Sequence, residues 1–478
     1  MLIDEYRLRI AQALALDPTS EQQHATDEFC RFLTDFHPQS VMVLRGSAGT
    51  GKTSLASAWV RALVSLRQRV LLLAPTGRAA KVFEHHCGQR AYTIHRRIYR
   101  QQQFNADMTG FNLAFNSQAD TLYFVDESSM ISAQPSSDGR FGSGRLLDDL
   151  IQYVYSGRNC RMVLVGDRAQ LPPVGEPSSP ALSAATLQAF GLQVYEADMD
   201  EVLRQSIGSG ILYNATVVRQ MLARDQQTSL PRVRFCGFAD ITMVPGDELI
   251  ERLASSYSEM GYDGTCVITR SNKRANIYNR GIRNMVLGCE DELNGGDRLM
   301  VVRNNYYWAE QEKLNLGFIA NGDTAEVLRV RHVRELYGFR FADVTMRLTD
   351  YDNSELTCAV LLDTLHSESP SLTHEEHTRL FAAVEEDYAY MTVKSERMRQ
   401  MKSDAYLNAL QVKYAYAVTC HKAQGGQWPH VYVDQGYMTD DMLSADYLHW
   451  LYTAFTRATH HLYLVNWPPT QTQENKEE

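Results

Sequence analysis

Gly46-Ser-Ala-Gly-Thr-Gly-Lys-Thr53 is the stretch whose residue types and spacing most clearly carry chemistry. Gly46, four residues, then Gly51, Lys52 and Thr53 form the pattern of a phosphate-binding loop. Glycines let the backbone curl, so that N–H groups along Gly46, Ser47, Ala48, Gly49, Thr50 and Gly51 point at phosphate oxygens. Lys52 can reach the β- and γ-phosphates, and the Thr53 hydroxyl can ligate Mg²⁺. Val41–Leu44, just upstream, is an apolar run suited to a buried parallel strand. Ser54–Val64, just downstream, is apolar at helical spacing, so a helix presents its positive end to the same anion. The stretch predicts a nucleoside triphosphate and Mg²⁺, and leaves open what the nucleotide is used for.

Further candidates lie where apolar strands end, which is where open parallel sheets bind ligands. Val70–Ala74 runs into Pro75-Thr-Gly-Arg-Ala-Ala-Lys81, placing Pro75 and the Thr76 hydroxyl beside two cations. Leu122–Val125 ends in adjacent acids: Asp126 is placed to hold Mg²⁺ through water, and Glu127 to orient or deprotonate an attacking water. Met162–Val165 leads to Gln170, whose amide could sense a γ-phosphate. Gln22, about 30 residues ahead of Lys52, could pair with an adenine edge. Tyr92-Thr-Ile-His-Arg-Arg-Ile-Tyr-Arg100 mixes Thr93, His95 and three arginines with aromatics, which suits a sugar–phosphate backbone with stacked bases. Arg204 and Arg457 are two further cations, the latter on a predicted helix.

The chain has 478 residues, enough for about three domains, and its 44% apolar and 22% charged content is that of a globular protein. A net charge of −10 argues against coating nucleic acid by bulk charge, but leaves room for a local basic groove. No run of about 18 apolar residues exists and no signal pattern opens the chain. The eight cysteines form no C-x-x-C pair and read as thiols of a reducing cytoplasm. His85-His86-Cys87 would diverge on a helix and is not read as a metal site.

These sites need elements to position them. Helices are expected over 1–36, with Thr19 or Ser20 capping the second. Residues 101–119 read as a hairpin excursion and 133–145 as a loop. Cys266–Asn276 restarts a strand-then-helix rhythm, predicting a second α/β domain over 205–297 and 411–468, after a first over 37–204. Four short strands with turn signals, within 296–303, 318–327, 340–348 and 355–362, suggest a small barrel inside a 298–410 insert. Residues 373–410 read as a charged helical extension whose apolar stripe, Leu380, Phe381, Val384, Tyr388, Tyr390, Met391 and Met398, serves packing. Tyr414–Val418 reads as one strand leading into Thr419-Cys-His-Lys-Ala-Gln-Gly-Gly426, and 469–478 as a disordered tail.

Together these segments resemble the superfamily 1 DNA helicases, within them the RecD/Dda-like branch. The resemblance runs from Gln22 to Arg457. Thr19-Ser-Glu-Gln22 fits the family's glutamine motif, Ala74-Pro-Thr-Gly-Arg-Ala-Ala80 motif Ia, and Thr93-Ile-His95 the segment after it. Asp126-Glu127 fits motif II, Gly166-Asp-x-x-Gln170-Leu-Pro-Pro motif III, Leu203-Arg-Gln205 motif IV, Thr419-x-His-Lys-Ala-Gln-Gly425 motif V, and Tyr452-Thr-Ala-x-Thr-Arg457 motif VI.

The resemblance implies two RecA-like domains with ATP between them and an SH3-like barrel in the second. Gln22 would read adenine, Lys52 and Thr53 would hold phosphates and Mg²⁺, and Arg204 and Arg457 would reach the leaving phosphates from across the cleft. It also implies single-stranded DNA on Thr76, Thr93, His95, Thr419 and His421, 5′-to-3′ movement, and work at junctions of single strand and duplex. The 101–119 hairpin stands where the family has a strand-separating pin. An RNA translocase, a motor that does not unwind, and a nucleotide-gated binding protein are the alternatives.

Overall fold

The computed structural model describes residues 2–35, 37–101, 111–135, 141–201, 208–224, 229–312, 318–351 and 354–473. Two helices come first, Leu2–Leu14 and Ser20–Thr34. The second starts on a capping box: the Gln22 N–H donates to Thr19 Oγ1, and Gln22 Oε1 accepts from the Thr19 N–H. Its buried face, Ala25, Phe29 and Phe32, packs into the core of the first domain, where Phe29 stacks at 4.1 Å on Trp59 of the phosphate-loop helix Lys52–Ser65 and Phe32 lies 5.9 Å from Tyr195.

The first domain holds β1 (Ser40–Gly46), β2 (Arg69–Ala74), β3 (Ala91–Thr93), a hairpin stem of β4 (Tyr99–Gln101) and β5 (Phe111–Leu113), then β6 (Thr121–Val125), β7 (Arg161–Gly166) and β8 (Gln193–Met199). Its parallel sheet is ordered β3-β2-β6-β7-β1-β8. All seven residues of β1 are buried, as an apolar run in a sheet covered on both faces requires. The loop after β1, Thr76 after β2, Asp126 after β6 and Gln170 after β7 all lie at carboxyl ends, as expected from the strand-end pattern. Edge strand β8 was not legible in the sequence, because Gln193-Val-Tyr-Glu-Ala-Asp-Met alternates exposed and covered residues without an apolar run.

The second domain holds β9 (Ile241–Val244) and β10 (Thr265–Thr269), then the insert with β11 (Arg298–Val301), β12 (Thr324–Leu336), β13 (Phe339–Leu348), β14 (Ser354–Leu361) and β15 (Leu410–Tyr414). It resumes with β16 (Ala417–Thr419), β17 (Trp428–Asp434) and β18 (Ala458–Val465), giving a parallel sheet ordered β16-β10-β17-β18-β9. The fold is thus two RecA-like parallel-sheet domains with a barrel in the second, as the resemblance implied.

Three readings are corrected in detail. The barrel closes with five strands, not four, in the order β11-β12-β13-β14-β15. Tyr414–Val418 is not one strand: β15 ends at Tyr414 and closes the barrel, while β16 begins at Ala417 in the sheet. The chain changes partners at Ala415, whose N–H bonds Arg298 O, and Tyr416, whose carbonyl accepts from Val267. Nor is 469–473 a loose tail: Gln471 is buried, and Val233 exchanges backbone hydrogen bonds with Gln471 and Gln473. Residues 474–478 lie outside the described residues.

One apolar core runs from the second sheet through Val267 and Tyr432 into the barrel at Val344 and Val412. The extension forms helices His374–Asp387 and Lys394–Lys402, whose Leu380, Val384 and Met401 pack on Phe339, Phe341 and Leu361 of the barrel. Tyr390, placed in that stripe by periodicity, is 76% exposed. The hairpin stem exists, and its tip, 102–110, lies outside the described residues. Its base is aromatic: Phe111 lies 4.5 Å from Tyr306 and 5.1 Å from Phe141, joining the stem to the barrel's approach loop.

Trp59 locks the glutamine-bearing helix to the phosphate-loop helix, and it is fully buried. Trp59→Ala is expected to destabilise the protein by about 3–5 kcal/mol in urea unfolding, the usual cost of emptying a large aromatic site. A loss below about 1 kcal/mol would show that this stack does not hold the two helices.

Candidate functional site

The phosphate loop takes its shape from sequence. Gly49 and Gly51 have φ of 79° and 78°, in the left-handed region that favours glycine. A Cβ on Gly46 would meet Thr50 Oγ1 at 2.9 Å, so that position also has to be small. Lys52 opens the following helix, and its Nζ lies 4.0 Å from Asp167 Oδ2. Gln22 sits against this loop, donating from Nε2 to Thr50 O at 3.1 Å. Its amide is therefore engaged by the cap on one side and the loop on the other.

Asp126 and Glu127 follow β6. Glu127 adopts φ 49°, a left-handed backbone rare outside glycine, which turns its side chain away from the strand direction. The Glu127 N–H donates to Asp126 Oδ1 at 2.9 Å. Burial, and then the neighbouring Glu127 charge, push the Asp126 carboxyl up to about 7. Glu127 Oε2 is buried without a hydrogen-bond partner. Two adjacent carboxylates, one unsatisfied, beside a Lys–Thr pair suit a divalent cation. Among the described residues no cluster of three or more His, Cys, Asp or Glu could hold a metal alone. Mg²⁺ fits such a site, since it keeps waters and takes only one or two protein ligands; the Thr53 hydroxyl and, through water, the Asp126 carboxylate would hold it.

The second domain completes this pocket. The helix Ala445–Phe455 carries Tyr452, whose hydroxyl donates to Asp167 Oδ2 at 2.7 Å and accepts from the Ala48 N–H of the phosphate loop at 2.8 Å. Burial, then the Asp167 charge, hold the phenol well above its ordinary range, so it stays protonated. Arg457 is 3% exposed; its Nη1 lies 4.0 Å from Glu127 Oε1. It is oriented within its own domain, donating to Thr453 O, Gly426 O and Thr456 Oγ1 at 3.1–3.2 Å.

The segment bearing Gln170 is clamped by the same domain. His449 Nδ1 donates to Ala169 O, the Leu171 N–H donates to Thr453 Oγ1, and Gln424 Nε2 donates to Leu171 O, at 2.7–2.9 Å. Between these anchors the Gln170 side chain is buried with Oε1 unpartnered. The sequence-predicted residues Lys52, Glu127, Gln170 and Arg457 thus converge. Arg204 lies outside the described residues. Sequence reasoning passed over Tyr452, Thr453 and Asp167, although each lies inside a quoted motif. It also missed Arg219, on a helix with no motif, whose Nη1 donates to Ser47 Oγ at 2.6 Å.

The residues expected to contact DNA fall into two groups. Thr76 caps helix Gly77–Cys87, accepting from Ala79 N, and Gly425 of the second domain abuts it: a Cβ there would lie 3.1 Å from Thr76 Oγ1. Pro75 and Thr419 are half-buried, and His421 is exposed. Thr93 is buried and spends its hydroxyl capping the turn Ile94–Ile98. The His95 ring packs 5.0 Å from Phe141 and 5.7 Å from Tyr99. Burial pushes it down to about 4, so at neutral pH it offers a ring and a hydrogen bond rather than a charge.

Residues 18–212 match a family model described as an AAA domain, and 414–465 match the UvrD-like helicase C-terminal domain. The ATP-dependent RecD2 DNA helicase of Deinococcus radiodurans is 31% identical over 158 residues, 33% of this chain and 19% of that protein. The match thus spans about a fifth of that relative's length. Two solved structures align along the chain. The Pif1 helicase from Bacteroides in complex with ADP-AlF3 and ssDNA has a TM-score of 0.47 and 14% identity, with 96% and 95% of the chains covered. The Pif1 helicase from Candida albicans has a TM-score of 0.46 and 16% identity, with 97% of each covered. The first family model contains Lys52, Asp126, Glu127 and Gln170; the second contains Thr419, His421, Tyr452 and Arg457. The two family matches thus fall on the two walls of one cleft, the AAA-domain match on the phosphate-loop side and the UvrD-like helicase C-terminal match on the Arg457 side, and they support the resemblance to the superfamily 1 helicases.

Proposed function

We propose that the protein is an ATP-dependent DNA helicase that moves 5′-to-3′ along single-stranded DNA and couples hydrolysis to duplex unwinding. The observation that carries this reading is the Tyr452 hydroxyl on the Ala48 N–H. The phosphate loop of one domain is touched by the other, so a phosphate bound there bears on both. Direction and unwinding rest on the resemblance to the RecD-like branch.

In this reading Lys52 neutralises the β- and γ-phosphates, and Thr53 with Asp126 holds Mg²⁺, which would supply charge neutralisation at the phosphates. Glu127 orients the attacking water and takes its proton. Gln170 reports the γ-phosphate to the Ala169–Leu171 segment that the second domain grips. Arg204 and Arg457 stabilise charge on the leaving group. Gln22 reads the adenine edge by trading its bond to Thr50 O. Hydrolysis weakens the bridge, the domains part, and the strand held by Pro75, Thr76, Thr93, His95, Thr419 and His421 is passed between them. Substrates are single strands and single-strand/duplex junctions. The free thiols fit a reducing compartment, and we place the protein in the cytoplasm; among the described residues no helix is long and apolar enough to cross a membrane.

Lys52→Ala is expected to abolish ATP turnover, read by phosphate release with single-stranded DNA present; normal turnover would sink the reading. Glu127→Gln should bind ATP normally while losing hydrolysis, so lost binding would make Glu127 structural. Arg457→Ala should slow hydrolysis about 10³-fold while the protein stays folded. A fall in melting temperature of the same order as other core deletions would mark its three intradomain bonds as the main role.

The proposal as a whole is tested by unwinding of partial duplexes bearing a 5′ or a 3′ single-stranded tail, with ATP. Unwinding from the 5′ tail is expected. Unwinding from the 3′ tail alone would overturn the direction. ATP turnover stimulated by RNA and not DNA would replace the substrate.

A further inference from the structure

Arg219 lies on helix Gly210–Ala223 of the second domain, outside every motif that resembles a family pattern. Yet it reaches the phosphate loop of the first domain. Its Nη1 donates to Ser47 Oγ at 2.6 Å and also to Asp200 Oδ1, and its Nη2 donates to Asp200 O at 3.4 Å. Ser47 Oγ in turn donates to Asp200 Oδ1 at 3.2 Å. Asp200 follows β8 at the carboxyl edge of the first sheet, with its backbone N–H bonded to Glu21.

Two features separate this arrangement from an ordinary interdomain ion pair. The first is its imbalance. The Arg219 side chain is 18% exposed and the Asp200 side chain 69%. A carboxylate so exposed binds a cation weakly, because water screens it. The second is its position. Residues 47 and 48 are adjacent in the phosphate loop, and the second domain meets both: Arg219 at the Ser47 hydroxyl and Tyr452 at the Ala48 N–H. A loop rich in N–H donors has no need of another donor unless an anion joins it. A guanidinium is a planar fork of donors that matches phosphate oxygens better than a hydroxyl.

We propose that Arg219 is a phosphate-binding residue of the nucleotide site, with Asp200 as the anion that competes with phosphate for its guanidinium. On triphosphate binding the guanidinium exchanges Asp200 for phosphate oxygens, drawing the second domain onto the loop. When the terminal phosphate leaves, Asp200 takes it back. The exchange breaks no covalent bond. The inference rests on the ATP reading above, and adds a cation that discriminates tri- from diphosphate.

Binding of fluorescent ATPγS and ADP to the full chain, with Mg²⁺, tests it. Arg219→Ala should weaken ATPγS roughly 10- to 100-fold, the range for one charge-assisted contact, and ADP by less than about threefold. Arg219→Lys should restore part of the ATPγS affinity, and Asp200→Asn should tighten ATPγS by removing the competing anion. If the pair is merely structural, Arg219→Ala and Asp200→Asn will weaken both nucleotides alike and lower the melting temperature together; that result overturns the inference. If the unaltered chain binds neither nucleotide, the ATP reading itself fails. If it binds both and Arg219→Ala does not discriminate between them, only this inference fails.

Discussion

The hydroxyl of Tyr452 is the contact on which the arrangement depends. It is fully buried, donates to Asp167 and accepts from the backbone of Ala48. A buried phenol with both capacities filled by the other domain is costly to detach, because each freed group would be left unpaired in a dry environment. The cleft is therefore a joint structure. One wall supplies the loop and the carboxylates, and the other supplies Tyr452, Thr453 and Arg457. The clamps on Ala169 and Leu171 belong to the same seam, and they surround Gln170 on both sides.

The two domains also meet beyond the cleft. Gly425 abuts Thr76, and Arg78 lies over the Trp428 ring at 3.9 Å, so helix Gly77–Cys87 meets the segment leading into β17 across the domain boundary. The barrel leans on the same helix: Lys81 Nζ donates to Thr349 O at 2.6 Å, and a Cβ on Gly77 would lie 3.0 Å from Asp323 Oδ1. Helix Gly77–Cys87 is thus held by the second domain and the barrel together. The barrel itself is rigidly part of the second domain, since one apolar core is continuous through both. The helical extension acts as a buttress, burying Leu380, Val384 and Met401 on the barrel wall.

Electrostatics in the cleft are unbalanced in a directed way. Asp126, Asp167 and Glu127 crowd around Lys52, and burial raises the carboxyls of Asp126 and Asp167. Such a cluster is expensive unless cations join it. The net charge of −10 thus says little about the ligand. Local geometry decides, and it sets anions beside a loop of N–H donors.

Local patterns were enough to place the phosphate loop, because Gly46, Gly49 and Gly51 answer to backbone sterics that any surroundings must respect. The same holds for the buried strands β1, β2, β6 and β7, and for the Thr19 cap, which are short-range and strongly patterned. Weakly patterned edges escaped: β8 and β9 are half-exposed, and β15 is separated from its barrel partners by the helical extension, so only closure of the barrel identifies it. The site divides in the same way. Lys52, Asp126, Glu127, Gln170 and Arg457 could be named from their motifs. That Gln22 spends its amide on the cap and the loop, that Thr93 is buried, and that Tyr452 and Arg219 touch residues 48 and 47 were decided by tertiary structure. Partners about 170 and 400 residues apart along the chain leave no local pattern, and only folding brings them within hydrogen-bond reach.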